Sequence, residues 1–272
     1  MWGWFKACRR RRWLAEPFPA AWADILQRHV KQTSRLPQVL AEKWRQRIQV
    51  FVRATEWEGC RGFVVADEAK VVIASYATLL VLGLDDEWLE RVWHVLVHPI
   101  PYQGRRATIG IDGVDYSHGD WMKQLEDDAE DEHLGEACVE SGTVILVWSE
   151  VPTADHITPA GQNVVLHEFA HVLLALLGDR LRHVRTESGE PWLTAFNAEF
   201  DRQVLATDRG RRALLDEYAA ENPEEFFCVA TECFLERPDR MRSQTPMLYE
   251  LLKQCYRIDP ASWGQRGVCE RR

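Results

Sequence analysis

The sequence predicts an α+β fold, with a mostly helical N-terminal part over about residues 19–90 and a core over about 91–260. Three observations lead there. Apolar residues at helical spacing dominate the first third. Two short runs rich in β-branched residues follow, near 92–99 and 144–148, and long apolar stretches near 163–177 and 218–235 return the chain to helix. At 272 residues with 46% hydrophobic side chains there is enough apolar material for a buried core, and residues 19–272 read as one domain.

Residues 1–18 are rich in tryptophan and arginine and are expected to be a disordered basic and aromatic tail. Their apolar stretch is too short for a secretory signal, and the arginines follow it instead of preceding it. From Ala20 to Ala54, Trp22, Ile25, Leu26, Val30, Leu40, Trp44, Ile48 and Phe51 fall at helical spacing, broken near Pro37, which predicts two helices. Lys70–Leu82 fits helix or buried strand by pattern alone, and Gly83 as a stop favours helix. Val92–Pro99 and Val144–Trp148 read as strands, the second either buried or at an edge. Between them the chain is polar, and its acidic block Glu126–Glu132 is read as a solvated face, not a metal site.

Composition also narrows function. A net charge of −9 argues against direct binding of nucleic acid, which needs a basic surface. No stretch has the length and apolarity of a membrane span. Seven cysteines, an odd number with no clustered pairs, fit reduced thiols and a cytoplasmic location. They are read as packing or surface thiols.

The strongest signal is His167-Glu-Phe-Ala-His171 inside the apolar segment Asn163–Leu177, with Thr158-Pro159 as the expected cap and Gly178 as the expected stop. On a helix, residues four apart share a face, so both imidazoles can address one ion while Glu168, to the side, can reach a water there. Two histidines and a glutamate in so apolar a helix are costly to bury unless something satisfies them, as a metal would. The pattern predicts a zincin-like metallopeptidase core with an HExxH active-site helix, one Zn2+ per chain and Glu168 as general base.

A third protein ligand has to come from downstream. His183 lies too far from His171 for the HExxHxxGxxH spacing and is expected to be exposed. The segment Tyr218–Leu235 predicts a second apolar helix, with Asn222 as cap and Pro223 as first residue. Glu225 and Glu232, nearly two turns apart on one face, are equal candidates from pattern alone: one as ligand, the other orienting a ligand histidine.

These residues resemble the Mlc titration factor A family of bacterial zinc peptidases, related in its catalytic core to the anthrax lethal factor peptidase domain. The resemblance spans most of the chain, through Asp67–Ala74, Leu80–Leu84, Trp93–Pro99, Gly135–Ala137, Val144–Trp148, the HEFAH segment and Tyr218–Phe227, the last two being the specific ones. It implies His167, His171 and Glu225 as metal ligands, Glu168 as base and Tyr218 as oxyanion stabiliser. It also implies peptide-bond hydrolysis, of an aminopeptidase-like kind, on a peptide or protein substrate, and an Mlc-like transcriptional repressor of sugar-uptake genes as partner. The alternative it carries is a weakly catalytic or non-catalytic anti-repressor. One departure stands out: Leu174 occupies the place of a family aspartate, so an acid that orients a ligand is expected to be missing. The strand around Val144–Trp148 is expected to offer the edge along which substrate lies.

Overall fold

The computed structural model describes residues 2–85, 91–103, 132–133, 135–138, 141–156, 158–211 and 213–264. The acidic residues 126–131 lie outside them. Helix α1, Trp2–Ala15, replaces the expected disordered tail. Tertiary contacts account for the difference. Gln49 donates to the carbonyls of Trp13 (2.7 Å) and Glu16 (3.2 Å), and Arg53 pairs with Glu16 at 2.7 Å, so the end of α1 is tied to α3.

Helices α2 (Ala20–His29) and α3 (Gln38–Ala54) are separated by the turn that ends at Pro37. They bury the predicted apolar faces, including Trp22, Leu26, Trp44, Ile48 and Phe51. Helix α4, Asp67–Leu80, is buried on nearly all sides. It ends before Gly83, and buried Arg47 donates to the carbonyls of Val81 and Leu84 just past that end. Gly83 has a steric reason: a Cβ there would run into the carbonyl oxygens of Tyr256 and Arg257.

Strands β1 (Glu56–Gly59), β2 (His94–His98), β5 (Gly135–Cys138) and β6 (Thr143–Val147) form one sheet in the order β1-β2-β6-β5. The first three in that order run parallel, with α4 as the β1-to-β2 crossover, and β5 is antiparallel to β6. Strands β3 (Tyr102–Gln103) and β4 (Glu132–His133) make a separate antiparallel pair. Alternation along β2 and β6 sends Val95, Val97, Val144 and Leu146 into the core. Strand β6 therefore cannot be the docking edge expected of Val144–Trp148, because β2 and β5 occupy both its sides. Among the described residues the strand outside it, near the metal-motif helix, is β5.

That helix is α5, Val164–Leu181. It starts later than Thr158-Pro159 suggests, because Asn163 is the cap, its side chain accepting from the Leu166 amide at 3.2 Å. It also runs through Gly178, since Leu177 and Leu181 continue the buried stripe. Helices α6 (Trp192–Asp208), α7 (Pro223–Glu236), α8 (Pro238–Gln244) and α9 (Pro246–Tyr256) complete the chain's helical half. An aromatic layer joins α6, α7 and α9: Trp192 stacks on Phe196 at 4.9 Å, Phe196 meets Phe226 at 5.1 Å, and Phe234 lies 5.1 Å from Tyr249. The result is a mostly helical α+β fold around a small mixed sheet, its apolar residues forming one continuous cluster from Trp22 to Trp263.

Candidate metal centre

Helix α7 places Glu225, Cys228, Glu232 and Glu236 at spacings of three, four and four residues, a stripe on one face. On α5, Asn163, His167 and His171 repeat at four. The stripes meet antiparallel, so the start of one helix faces the end of the other. Glu236 and Glu232 take Asn163, Glu232 and Glu225 take His167, and Glu225 reaches His171.

The donor atoms converge. His167 Nε2 lies 3.3 Å from His171 Nε2 and 2.9 Å from Glu225 Oε2, which is 3.6 Å from His171 Nε2. Ligands about 2.0–2.1 Å from a tetrahedral zinc stand about 3.4 Å apart, so this triangle has the dimensions of a tetrahedron's face. The side chains of Glu225 and His167 are 8% and 11% exposed, whereas His171 is 25% exposed, which puts solvent access on the His171 side. Glu168 is buried on α5 beside them, near enough for its charge to raise the proton affinity of His167.

The other ring nitrogen of His167 separates the two glutamates by position. Nδ1 lies 2.8 Å from Glu232 Oε1, while Glu232 Oε2 accepts from the Asn163 backbone amide. Glu225 thus faces the convergent nitrogens, and Glu232 holds the ring from behind. Asn163 adds a bond from Nδ2 to Glu236 Oε1 at 3.1 Å, and Gln32 reaches the same oxygen at 3.0 Å.

Burial opposes a charge on His167, but the hydrogen bonds to Glu225 and Glu232 outweigh it and push the imidazole up to about 10. Burial likewise pulls Glu225 upward, and the bonds to His167 and His171 overcome it, holding the carboxyl well below its usual range. Glu232 is raised, because its burial outweighs the bonds from His167 and Asn163. The charged pair is therefore His167 with Glu225. In metal-free protein its contribution to stability should be full between the ordinary carboxylate and histidine values of 4.5 and 6.5, and fade as pH rises toward about 10. Ring-proton resonances of His167 in the stripped protein should titrate near the upper value, and a midpoint near 6.5 would refute the pairing.

A family model for glucose-regulated metallopeptidases, M90, matches residues 5–257. The chain belongs to this family. An uncharacterised Synechocystis protein is 28% identical over 257 residues, covering 93% of this chain and 89% of its own. Proteins called Mlc titration factor A are similarly distant. That of Edwardsiella ictaluri is 29% identical, covering 71% of this chain and 70% of its own, and that of Salmonella typhi is 29% identical, covering 78% and 76%.

Within this M90 metallopeptidase, Tyr218 sits in the turn Glu217–Ala220, its ring 6.0 Å from that of His167. Asn222 caps α7 as expected, accepting from the Glu225 amide at 2.9 Å. His183 is exposed, as expected. Leu174 packs against the core, and the anchor for His167 comes from Glu232 on the neighbouring helix.

Sequence reasoning passed over Cys228 as one more packing thiol. Its Sγ and one ring nitrogen each of His167 and His171 lie within 4.8 Å of one another. Position three residues after Glu225 on a helix was the signal available. Cys8, Cys60, Cys228, Cys233 and Cys255 are free, and burial pushes the Cys228 thiol well up.

His29, Glu68 and Asp155 also approach one another. Here the Ala154 amide donates to His29 Nδ1 at 3.3 Å, which puts the proton of a neutral ring on Nε2, facing Glu68 at 3.5 Å. His29 is buried, Glu68 half-buried and Asp155 exposed, so this group is a polar contact where the core meets the surface.

Proposed function

We propose that this chain is a zinc-dependent, zincin-like peptidase acting in the cytoplasm, with His167, His171 and Glu225 holding one zinc ion. The observation that carries the proposal is the triangle of three donor atoms at 2.9–3.6 Å on an HExxH helix. Held by His167, His171 and Glu225, a zinc ion would supply Lewis acidity toward a water and a scissile carbonyl. Glu168 accepts the proton of the attacking water on its carboxylate and hands it to the leaving amine. Tyr218 donates its hydroxyl hydrogen bond to the carbonyl oxygen as negative charge grows there. Glu232 fixes the tautomer and tilt of His167. An extended peptide pairs along the outer edge of β5, which takes over the docking role first expected of Val144–Trp148.

The turn carrying Tyr218 is held from α6, where Gln203 donates to the carbonyl of Asp216 at 2.9 Å. Gln203→Leu should lower turnover by up to about tenfold with metal content unchanged, because a small misplacement of the hydroxyl is costly. Unchanged kinetics would remove Tyr218 from the mechanism or Gln203 from its support.

Zinc content measured together with hydrolysis of aminoacyl and N-blocked peptide chromogens tests the main reading. About one zinc per chain with turnover supports it. Preference for free N-termini supports the aminopeptidase-like cleavage that the family resemblance implies. Zinc without turnover on any peptide would count against a peptidase.

The relatives called Mlc titration factor A favour a second reading, capture of an Mlc-like repressor. An immobilised repressor of this class should retain the chain at low micromolar concentration. Retention of Glu168→Gln as well would show that capture is separate from hydrolysis.

A further inference from the structure

One more side chain than hydrolysis requires, that of Cys228, comes close to the two imidazoles. Cys228 stands on α7 one turn beyond Glu225 and one before Glu232, so all three face α5. Its sulfur and the two imidazoles approach one another within 4.8 Å, and the side chain is wholly buried. Sulfur and nitrogen ligands of a tetrahedral zinc lie about 3.6 Å apart, so closing the remaining gap takes about 1.2 Å at most. Rotation about the single side-chain torsion, with a small settling of α7, supplies that. Thiolates are strong donors to zinc and to other borderline or soft ions.

We propose that Cys228 is a fourth protein donor to this centre, its sulfur competing with water for the position that hydrolysis uses. The proposal rests on the assignment of His167, His171 and Glu225 as ligands. On binding, the S–H bond breaks and the proton leaves to solvent, while a sulfur lone pair forms the bond to the metal; nothing is oxidised or reduced. The chain then has two metal-loaded forms. In one, two imidazoles, a carboxylate and a thiolate close the site, which retains its metal well and turns over slowly. In the other the sulfur has withdrawn and the fourth position takes water.

Cobalt(II) in place of zinc in the full chain distinguishes these possibilities by spectrum. Expected is an intense near-ultraviolet sulfur-to-cobalt charge-transfer band in the wild type. It should be absent from Cys228→Ala, with both proteins binding about one cobalt per chain. The alanine variant should also lose its metal to a chelator about tenfold faster and hydrolyse peptide severalfold faster. If alanine prevents folding, Cys228→Ser preserves the volume and is read by the same band. Only weak visible bands in the wild type, at one cobalt per chain, would overturn the thiol ligand and leave the other three standing. A charge-transfer band that persists in the variants would overturn it too, by assigning the sulfur to another cysteine. Failure of folded wild type to bind cobalt or zinc would overturn the ligand set itself, and this proposal with it.

Discussion

Glu168→Gln is expected to keep its metal and lose about 10²–10⁴-fold in kcat. The substitution preserves shape, so the buried site beside His167 should stay packed. What disappears is the ability to accept a proton at neutral pH. Because that loss is felt only in the transition state, kcat and kcat/KM should fall together, with KM nearly constant. A second effect follows from charge. The carboxylate of Glu168 helps raise the proton affinity of His167, so the amide variant, stripped of metal, should release the His167 proton at lower pH than the wild type. Steady-state kinetics on the best peptide, metal analysis and the histidine titration check these points independently. Turnover within a few-fold of wild type would assign the base elsewhere. Loss of metal would instead make Glu168 a structural support of the site.

The sequence disclosed the site where its determinants are local, and concealed it where they depend on how elements meet. His167, Glu168 and His171 lie within five residues on a helix, and four-residue spacing alone dictates that both imidazoles share a face. Asn222-Pro223 is equally local, and α7 begins there. The choice between Glu225 and Glu232 was not local. Both lie on the face of α7 toward α5, and only the antiparallel register gives Nε2 to one and Nδ1 to the other. Cys228 was hidden for the same reason. The ends of α5 were misjudged because cap statistics compete with tertiary contacts. Thr158 and Pro159 look like a start, yet Asn163 is held in place by Glu232 and Glu236. Gly178 looks like a stop, yet burial of Leu181 carries the helix past it. Strand order is the most remote property of all, since placing β6 between β2 and β5 takes the pairing of His94–His98 with Thr143–Val147 across a long intervening segment.

The two glutamates of α7 should separate cleanly by mutation. Glu225→Ala removes a donor atom from the triangle, and zinc affinity should fall by more than about 100-fold, beyond the 10–100-fold typical of residues that only orient a ligand. Glu232→Gln should fall inside that range, for a reason visible in its bonds. The carboxylate accepts from two donors, the Asn163 amide and the His167 ring nitrogen. An amide has one acceptor oxygen, and its NH2 would confront whichever donor it faced. One buried donor is then left unpaired, at a cost of about 1–3 kcal/mol, which should lower the Tm of metal-loaded and metal-free protein alike. Glu225→Ala should lower the Tm of zinc-loaded protein more than that of metal-free protein, because the metal-free form loses only the ion pair with His167 whereas the loaded form also loses a zinc ligand. Competition with a chromophoric chelator measures the affinities, and thermal unfolding with and without zinc measures the rest. The reverse pattern, with Glu232→Gln losing zinc outright while Glu225→Ala retains it, would transfer the ligand role to Glu232 and require His167 to present Nδ1 to the metal.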